Sequence, residues 1–385
     1  MGILRLYLAL CVVGVHSGSI FPWTTHDGHQ AVQIFYLISG FYMQMVYGAN
    51  YVTPAEFYAS RFIRIFIPYW IILALTLVLS LGSVVLHWQW IWTSVHPYFD
   101  APFQHNGVLG VLLAGMANIT LFFQDWVMFL SDDVGRSLVF TSDFRTSSYP
   151  LYQYLLIPQA WTVSVELTFY LLVPFFSGMR SRTLLAIAMA ALMARIYAYE
   201  VLGWKNDPWE YRFFPFELSL FLLGMLSQRL YRLVPEKIKQ LRLKSLENYV
   251  LASVVFVGIL IGASQGVEIM GGYIGHHYAV LIFYGLWALA IPVLFCIFGG
   301  YKYDRFIGEL SYPVYLSHLI VVSFVMAVQS KLALPPPVVG PISGVLSVVF
   351  ALLLYVYIFK PLDARRYSLA KKFSNQTTRP HLESV

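Results

Sequence analysis

Ten stretches of about twenty mostly apolar residues run along this chain, each long enough to cross the hydrocarbon of a bilayer as a helix. They fall at 4–23, 30–48, 66–86, 159–178, 182–201, 213–229, 248–265, 278–299, 309–329 and 340–360. A backbone in lipid must satisfy its own hydrogen bonds, so this pattern predicts an all-α polytopic membrane protein. Only 11% of the 385 residues are charged, against roughly 25% in a soluble domain. That excludes a cytosolic globular enzyme, a disordered chain and a nucleic-acid module. The net charge of +6 reads as basic residues gathered in cytoplasmic loops, with no nucleic-acid partner. Two cysteines inside apolar stretches, Cys11 and Cys296, imply no disulfide framework.

Charge also orients the spans. The 228–244 loop holds Arg229, Arg232, Lys237, Lys239, Arg242 and Lys244. Arg365, Arg366, Lys371 and Lys372 follow the last span, Arg61 and Arg64 precede the third, and Arg180 and Arg182 follow the fourth. Placing them all inside satisfies the positive-inside rule. The stretch 88–158 then begins and ends outside, with Arg136 and Arg145 against Asp100, Asp125, Asp132, Asp133 and Asp143. The marginal uncharged run 108–123 is therefore expected to be re-entrant or interfacial. The expectation is about ten transmembrane helices with both termini cytoplasmic. An integral-membrane domain would span 1–370, with a cytoplasmic tail at 371–385. The first stretch is not expected to be a signal peptide, because no small-residue cleavage site follows it.

Ionisable residues inside spans are rare and point to function. Here they are His16, Glu166, Arg195, Glu217 and His318, with Arg5 at the inner mouth of the first span. Arg5 and His16 are eleven residues apart, three helical turns, so they share a face about 16 Å apart along the axis. A histidine so placed suits a general base; a carbonyl-bonded bundle histidine fits equally. Glu166 needs a partner at its depth, and His16, Arg212 and Arg195 are the candidates. For His318 a structural role is the stronger default. Ser39-Gly40-Phe41 lies mid-span, where glycine lets helices approach. Arg61 and Arg64 share a face at the inner interface, suited to phosphate oxygens or to lipid headgroups. Trp88, Trp90, Trp92, Tyr98 and Phe103 read as an interfacial belt or a sugar-stacking groove. Asn118-Ile119-Thr120 has the form of a glycosylation sequon.

In order and spacing these pieces resemble the membrane-embedded acyltransferase-3 family of bacterial glycan O-acyltransferases. The resemblance rests on Leu4-Arg5 with His16, Phe35-Tyr36-Leu37-Ile38-Ser39-Gly40-Phe41, and Phe57 to Arg61 with Arg64-Ile65 and Pro68. It continues through Trp161-Thr162 with Val165-Glu166 and Phe169-Tyr170-Leu171, and Arg212-Phe213-Phe214 with Phe221 and Gly224. It ends with Ser311-Tyr312-Pro313-Val314-Tyr315-Leu316 and His318. Phe35-Tyr36 stands where the family usually has a phenylalanine pair.

The resemblance implies a multi-pass enzyme of the bacterial inner membrane. It would move an acyl group, most often acetyl, from cytoplasmic acetyl-CoA or another acyl-CoA to a hydroxyl of a glycan or lipid-linked sugar. Lipopolysaccharide O-antigen and exopolysaccharide are among the acceptors. His16, Glu166 and Arg5 would be catalytic, Arg61, Arg64 and Ser39 would hold the donor, and Arg212 and His318 would meet the acceptor. No metal is implied, and the other partners are membrane lipids. Direct transfer with Glu166 orienting His16, and a relay through an acylated His16, both remain open. Ser39, Arg212 or a helix N-terminus would receive the oxyanion. A polytopic transporter or flippase, or a polysaccharide assembly subunit, is the alternative.

Overall fold

The computed structural model describes residues 1–21, 26–85, 107–132, 138–240 and 243–362. The proposed aromatic groove or belt from Trp88 to Phe103, Arg136, and the tail at 371–385 lie outside the described residues. Of the described residues about 81% are helical. The long helices are α1 (Gly2–Ser17), α2 (Gly28–Asn50), α3 (Pro54–Val85), α4 (Val108–Thr120), and, after a four-residue α5 (Gln124–Val127), α6 (Trp161–Gly178) and α7 (Ser181–Glu200). Then come α8 (Phe214–Leu233), a short α9 (Glu236–Lys239), α10 (Leu246–Ile274), α11 (His276–Phe298), α12 (Lys302–Leu332) and α13 (Val339–Leu354). Every one of the ten apolar stretches carries a helix, and among the described residues seven helices are long and apolar enough to cross a membrane. The first is shorter than its apolar stretch, because Gly18 leaves the helix at φ 87°.

The largest shift from the sequence reading is at the third span, expected at 66–86, whose helix α3 starts at Pro54; α10 also runs on to Ile274 and α12 begins earlier, at Lys302. Proline fits the first helical position, and Thr53 Oγ1 accepts the Glu56 backbone N–H at 3.2 Å. A local cap thus starts the helix ahead of its apolar segment, and Arg61 and Arg64 become part of α3.

By contacts the chain divides into two compact units. The first comprises Met1–Gln44, Arg180–Ala190 and Glu217–Leu352. Here α1 and α12 lie side by side and parallel, in steady register. The Asp304 carboxylate accepts the backbone N–H groups of Gly2 at 2.7 Å and Ile3 at 3.1 Å, supplying the cap that α1 lacks locally. Three residues on, Arg5 Nη1 stands 3.7 Å from where a Cβ on Gly308 would lie. At the far end the His16 ring is 5.2 Å from the His318 ring. Ala9, Val13, Val314 and Val322 form the buried seam between them, and Ala351 of α13 joins the same cluster.

In the same unit α2 crosses α8 with backbone on backbone. A Cβ at Gly40 would stand 2.0 Å from the Phe221 carbonyl oxygen, and one at Gly224 would stand 2.0 Å from that of Leu37. Only glycine permits that approach. Gln33 Nε2 donates to both oxygens of Glu217 at 2.9 Å, and the Tyr284 hydroxyl donates to Gln33 Oε1. A fully buried carboxylate is thus held by three helices.

The second unit comprises Met45–Met179, Ala191–Phe216 and the described part of Leu353–Val385. Helix α4 has 13 residues, about 20 Å, too short to cross the hydrocarbon. Leu109, Leu112, Met116 and Ile119 form an exposed apolar stripe, while Gly110, Ala114, Ala117 and Asn118 face inward. Asn118 is buried, donating to the Tyr154 carbonyl at 2.8 Å and accepting the Leu156 N–H at 2.9 Å. The Tyr69 hydroxyl of α3 donates to the Asn118 carbonyl at 2.6 Å. After α5 come β1 (Leu130–Asp132) and β2 (Leu138–Phe140), an antiparallel pair with Leu130 opposite Phe140.

Candidate functional site

In the first unit the structure brings together two of the residues singled out from the sequence. His16 is exposed near the end of α1, and His318 is fully buried on α12 beside it. The shared face expected of Arg5 and His16 is present, since both meet α12, one at Gly308 and one at His318. His318 Nδ1 lies 2.7 Å from the Tyr315 carbonyl oxygen, which can only accept. Nδ1 therefore carries the proton, and Nε2 of the neutral ring is a lone pair. That nitrogen is buried without a hydrogen-bond partner. The neighbouring Ser317 is turned back along α12, its hydroxyl donating to the Pro313 carbonyl at 2.7 Å.

Ser39 is buried on α2, next to the glycine that carries the crossing with α8. Its tripeptide is therefore first of all a helix contact.

Within the second unit, Arg61 is only 7% exposed. Its Nη2 donates to the Tyr51 hydroxyl at 2.8 Å, and its guanidinium stands 5.9 Å from the Tyr51 ring and 5.7 Å from that of Phe57. The Tyr51 hydroxyl also bonds Ser60 Oγ at 2.8 Å. Arg61 Nε is buried without a partner, an unusual state for a guanidinium N–H. Arg64, one turn along α3, is half-buried.

Glu166 is half-buried on α6 and accepts the hydroxyl of Tyr170 one turn further on, a partner the sequence reading did not consider. Arg212 stands before α8 in a closed cage. Its Nη2 donates to Asp207 Oδ2 at 2.8 Å and its Nε to the other carboxylate oxygen. The guanidinium lies 4.2 Å from the Trp161 ring, 4.6 Å from Tyr211 and 5.1 Å from Phe144. Tyr211 also donates to Asp207 at 2.9 Å, and burial pushes its phenol up, with Arg212 opposing.

Several buried polar groups went unremarked in the sequence. Asp125, read only as a loop charge, accepts the Ser164 hydroxyl at 2.7 Å, and burial pushes its carboxyl up to about 6. His26 meets the Tyr7 hydroxyl at 3.1 Å and stacks on Phe283 at 5.3 Å, and burial brings its ring down to about 4. Ser343 and Ser347 of α13 are fully buried hydroxyls without hydrogen-bond partners. None lies in a motif; the one available signal was a polar residue inside an apolar stretch, visible for Gln33, Ser343 and Ser347. Among the described residues no group of three His, Cys, Asp or Glu side chains is placed to hold a metal.

A family model described as an acyltransferase domain matches residues 1–356, nearly the whole chain. No curated protein and no solved structure matches it.

Proposed function

The chain belongs to the acyltransferase-3 family, and from that premise we propose that it transfers an acyl group from cytoplasmic acyl-CoA to a glycan hydroxyl. The exposed imidazole of His16, seated against His318 in an otherwise apolar seam, is the observation that carries this reading. His16 takes the proton of the acceptor hydroxyl as that oxygen bonds the thioester carbonyl carbon. The carbon–sulfur bond then breaks, and the CoA thiolate recovers the proton from His16. Glu166 and Arg5 are proposed as further catalytic residues. Arg61 supports the donor reading, since a buried guanidinium with an unsatisfied N–H suits a phosphate oxygen. Arg64 is proposed to join it, with Ser39 at the donor end of the first unit. Arg212 is proposed to shape the acceptor end through Asp207 and Trp161.

The proposed setting is a bacterial inner membrane, crossed ten times with both termini inside. Two relationships support the count. Helices α1 and α12 would be the first and ninth spans and run parallel. Helices α2, α8 and α11 would be the second, sixth and eighth and also run parallel. Acetyl is the proposed group and a surface or secreted polysaccharide the proposed acceptor.

The test uses proteoliposomes, radiolabelled acetyl-CoA supplied on one side at a time, and His16→Ala beside the unaltered protein. Donor turnover lost only in a properly inserted H16A variant supports the reading. Equal turnover in both, or none in either, removes it in favour of a transporter or assembly subunit.

A further inference from the structure

We propose that His318 is a positioning residue whose Nε2 accepts the N–H of His16 and so fixes which His16 nitrogen faces the acceptor hydroxyl. This rests on the reading of His16 as the general base. Three observations converge on it. The Tyr315 carbonyl forces the proton of His318 onto Nδ1 and leaves Nε2 as a lone pair. Nε2 is fully enclosed and has no donor in the structure, which a buried acceptor rarely tolerates. Beside it stands His16, an exposed ring whose centroid lies 5.2 Å from that of His318.

Their separation fits. Each imidazole nitrogen lies about 1.1 Å from its ring centre, so an edge-on N–H···N bond of about 2.9 Å needs centroids about 5.1 Å apart. The observed separation is 5.2 Å, with the rings inclined at 37°. Helices α1 and α12 hold the two residues level, so the bond asks for a turn of the His16 ring and no shift of either helix.

In the reaction, one nitrogen of His16 donates to His318 while the other carries the lone pair that takes the hydroxyl proton. The imidazolium so formed keeps its N–H on His318 Nε2, and the proton leaves later to the CoA thiolate. No proton moves to His318, whose Nδ1 proton stays on the Tyr315 carbonyl. Its role is that of the orienting group behind a catalytic histidine, filled here by an uncharged acceptor that suits an apolar seam.

The experiment compares His318→Asn, His318→Gln and His318→Phe with the unaltered protein in proteoliposomes, measuring kcat and KM for acetyl-CoA. The Asn amide sits where Nδ1 was and keeps the Tyr315 bond but offers no acceptor at the Nε2 position. Gln reaches that position. H318N and H318F should lose about 100-fold in kcat at unchanged KM. H318Q should stay within about 10-fold of the unaltered enzyme. An H318N variant with full kcat, or H318Q no better than H318N, overturns the pairing. H16A retaining donor turnover overturns the proposed function itself, a result distinct from any that the His318 series gives.

Discussion

The Ser164 hydroxyl donates to the Asp125 carboxylate at 2.7 Å, tying α5 to the first turn of α6. Burial pushes the Asp125 carboxyl up to about 6, with the Ser164 bond and nearby backbone N–H groups pulling it down. The folded chain therefore holds this proton more tightly than the unfolded chain. The Asp125 contribution to stability should be complete below about pH 4 and be lost as pH rises through 6, by about 3 kcal/mol in all. Asp125→Asn should flatten that segment of the Tm-versus-pH curve in detergent. A thiol-reactive dye is a suitable probe of unfolding, because Cys11 and Cys296 are both buried. A slope unchanged in D125N would assign it to another group.

His26 predicts the opposite slope. Burial lowers its ring to about 4, so the folded chain favours the neutral form. Its contribution is complete above pH 6.5 and is lost as pH falls towards 4. His26→Phe keeps a ring against Phe283 and gives up the Tyr7 bond. The variant should be less stable at pH 8 by about 1 kcal/mol, yet lose less between pH 6.5 and 4. Equal acid sensitivity in both proteins would count against the assignment.

At the α2–α8 crossing a single methyl group decides the outcome. Gly40→Ala and Gly224→Ala would each drive a Cβ to 2.0 Å from a carbonyl oxygen. Each should cost upwards of 3 kcal/mol and reduce the yield of monodisperse protein. Gly48→Ala, with nothing within 4 Å, should be neutral or slightly stabilising. Size-exclusion profiles of the three variants settle the comparison.

Arg212 should resist conservative replacement. Its two bonds to Asp207 and its stacking among Trp161, Tyr211 and Phe144 need a flat, forked cation. Arg212→Lys and Asp207→Asn should each cost about 3–5 kcal/mol, because each leaves a buried charge poorly matched. The double variant should cost less than the sum, which thermal shifts on all three proteins would show.

For the arginines of α3, Arg61→Ala and Arg64→Ala should raise KM for acetyl-CoA by about 10-fold each, with kcat changed less. Donor titrations on proteoliposomes with matched protein content provide the check. An unchanged KM would leave the pair as residues that orient and anchor α3.

The ten apolar stretches made the helices legible in advance, because an apolar run in lipid has little choice but to coil. What they could not reveal was the start of α3, set by a Thr53 cap outside the apolar segment. Arg5 and His16 were readable as a pair from helical periodicity, and both do meet α12. The His318 tautomer was not readable, since it depends on one carbonyl three residues back and on which neighbour comes within reach. For Glu166 the unreadable part was Tyr170, a hydroxyl one turn along its own helix that bonds its carboxylate. Asp125 looked like an exterior loop charge, and only the folded segment encloses it.

The Asp304 cradle makes the beginning of α1 a pivot. Gly2 and Ile3 are held there, and His16 rides about 20 Å further along a stiff rod. Tilting that rod by about 5° displaces the imidazole by about 1.7 Å, and a 1 Å error in a reacting group is enough to slow chemistry about 100-fold. A carboxylate remote from any transferred proton thereby sets the aim of the base, so that substitutions at Asp304 act on rate through leverage.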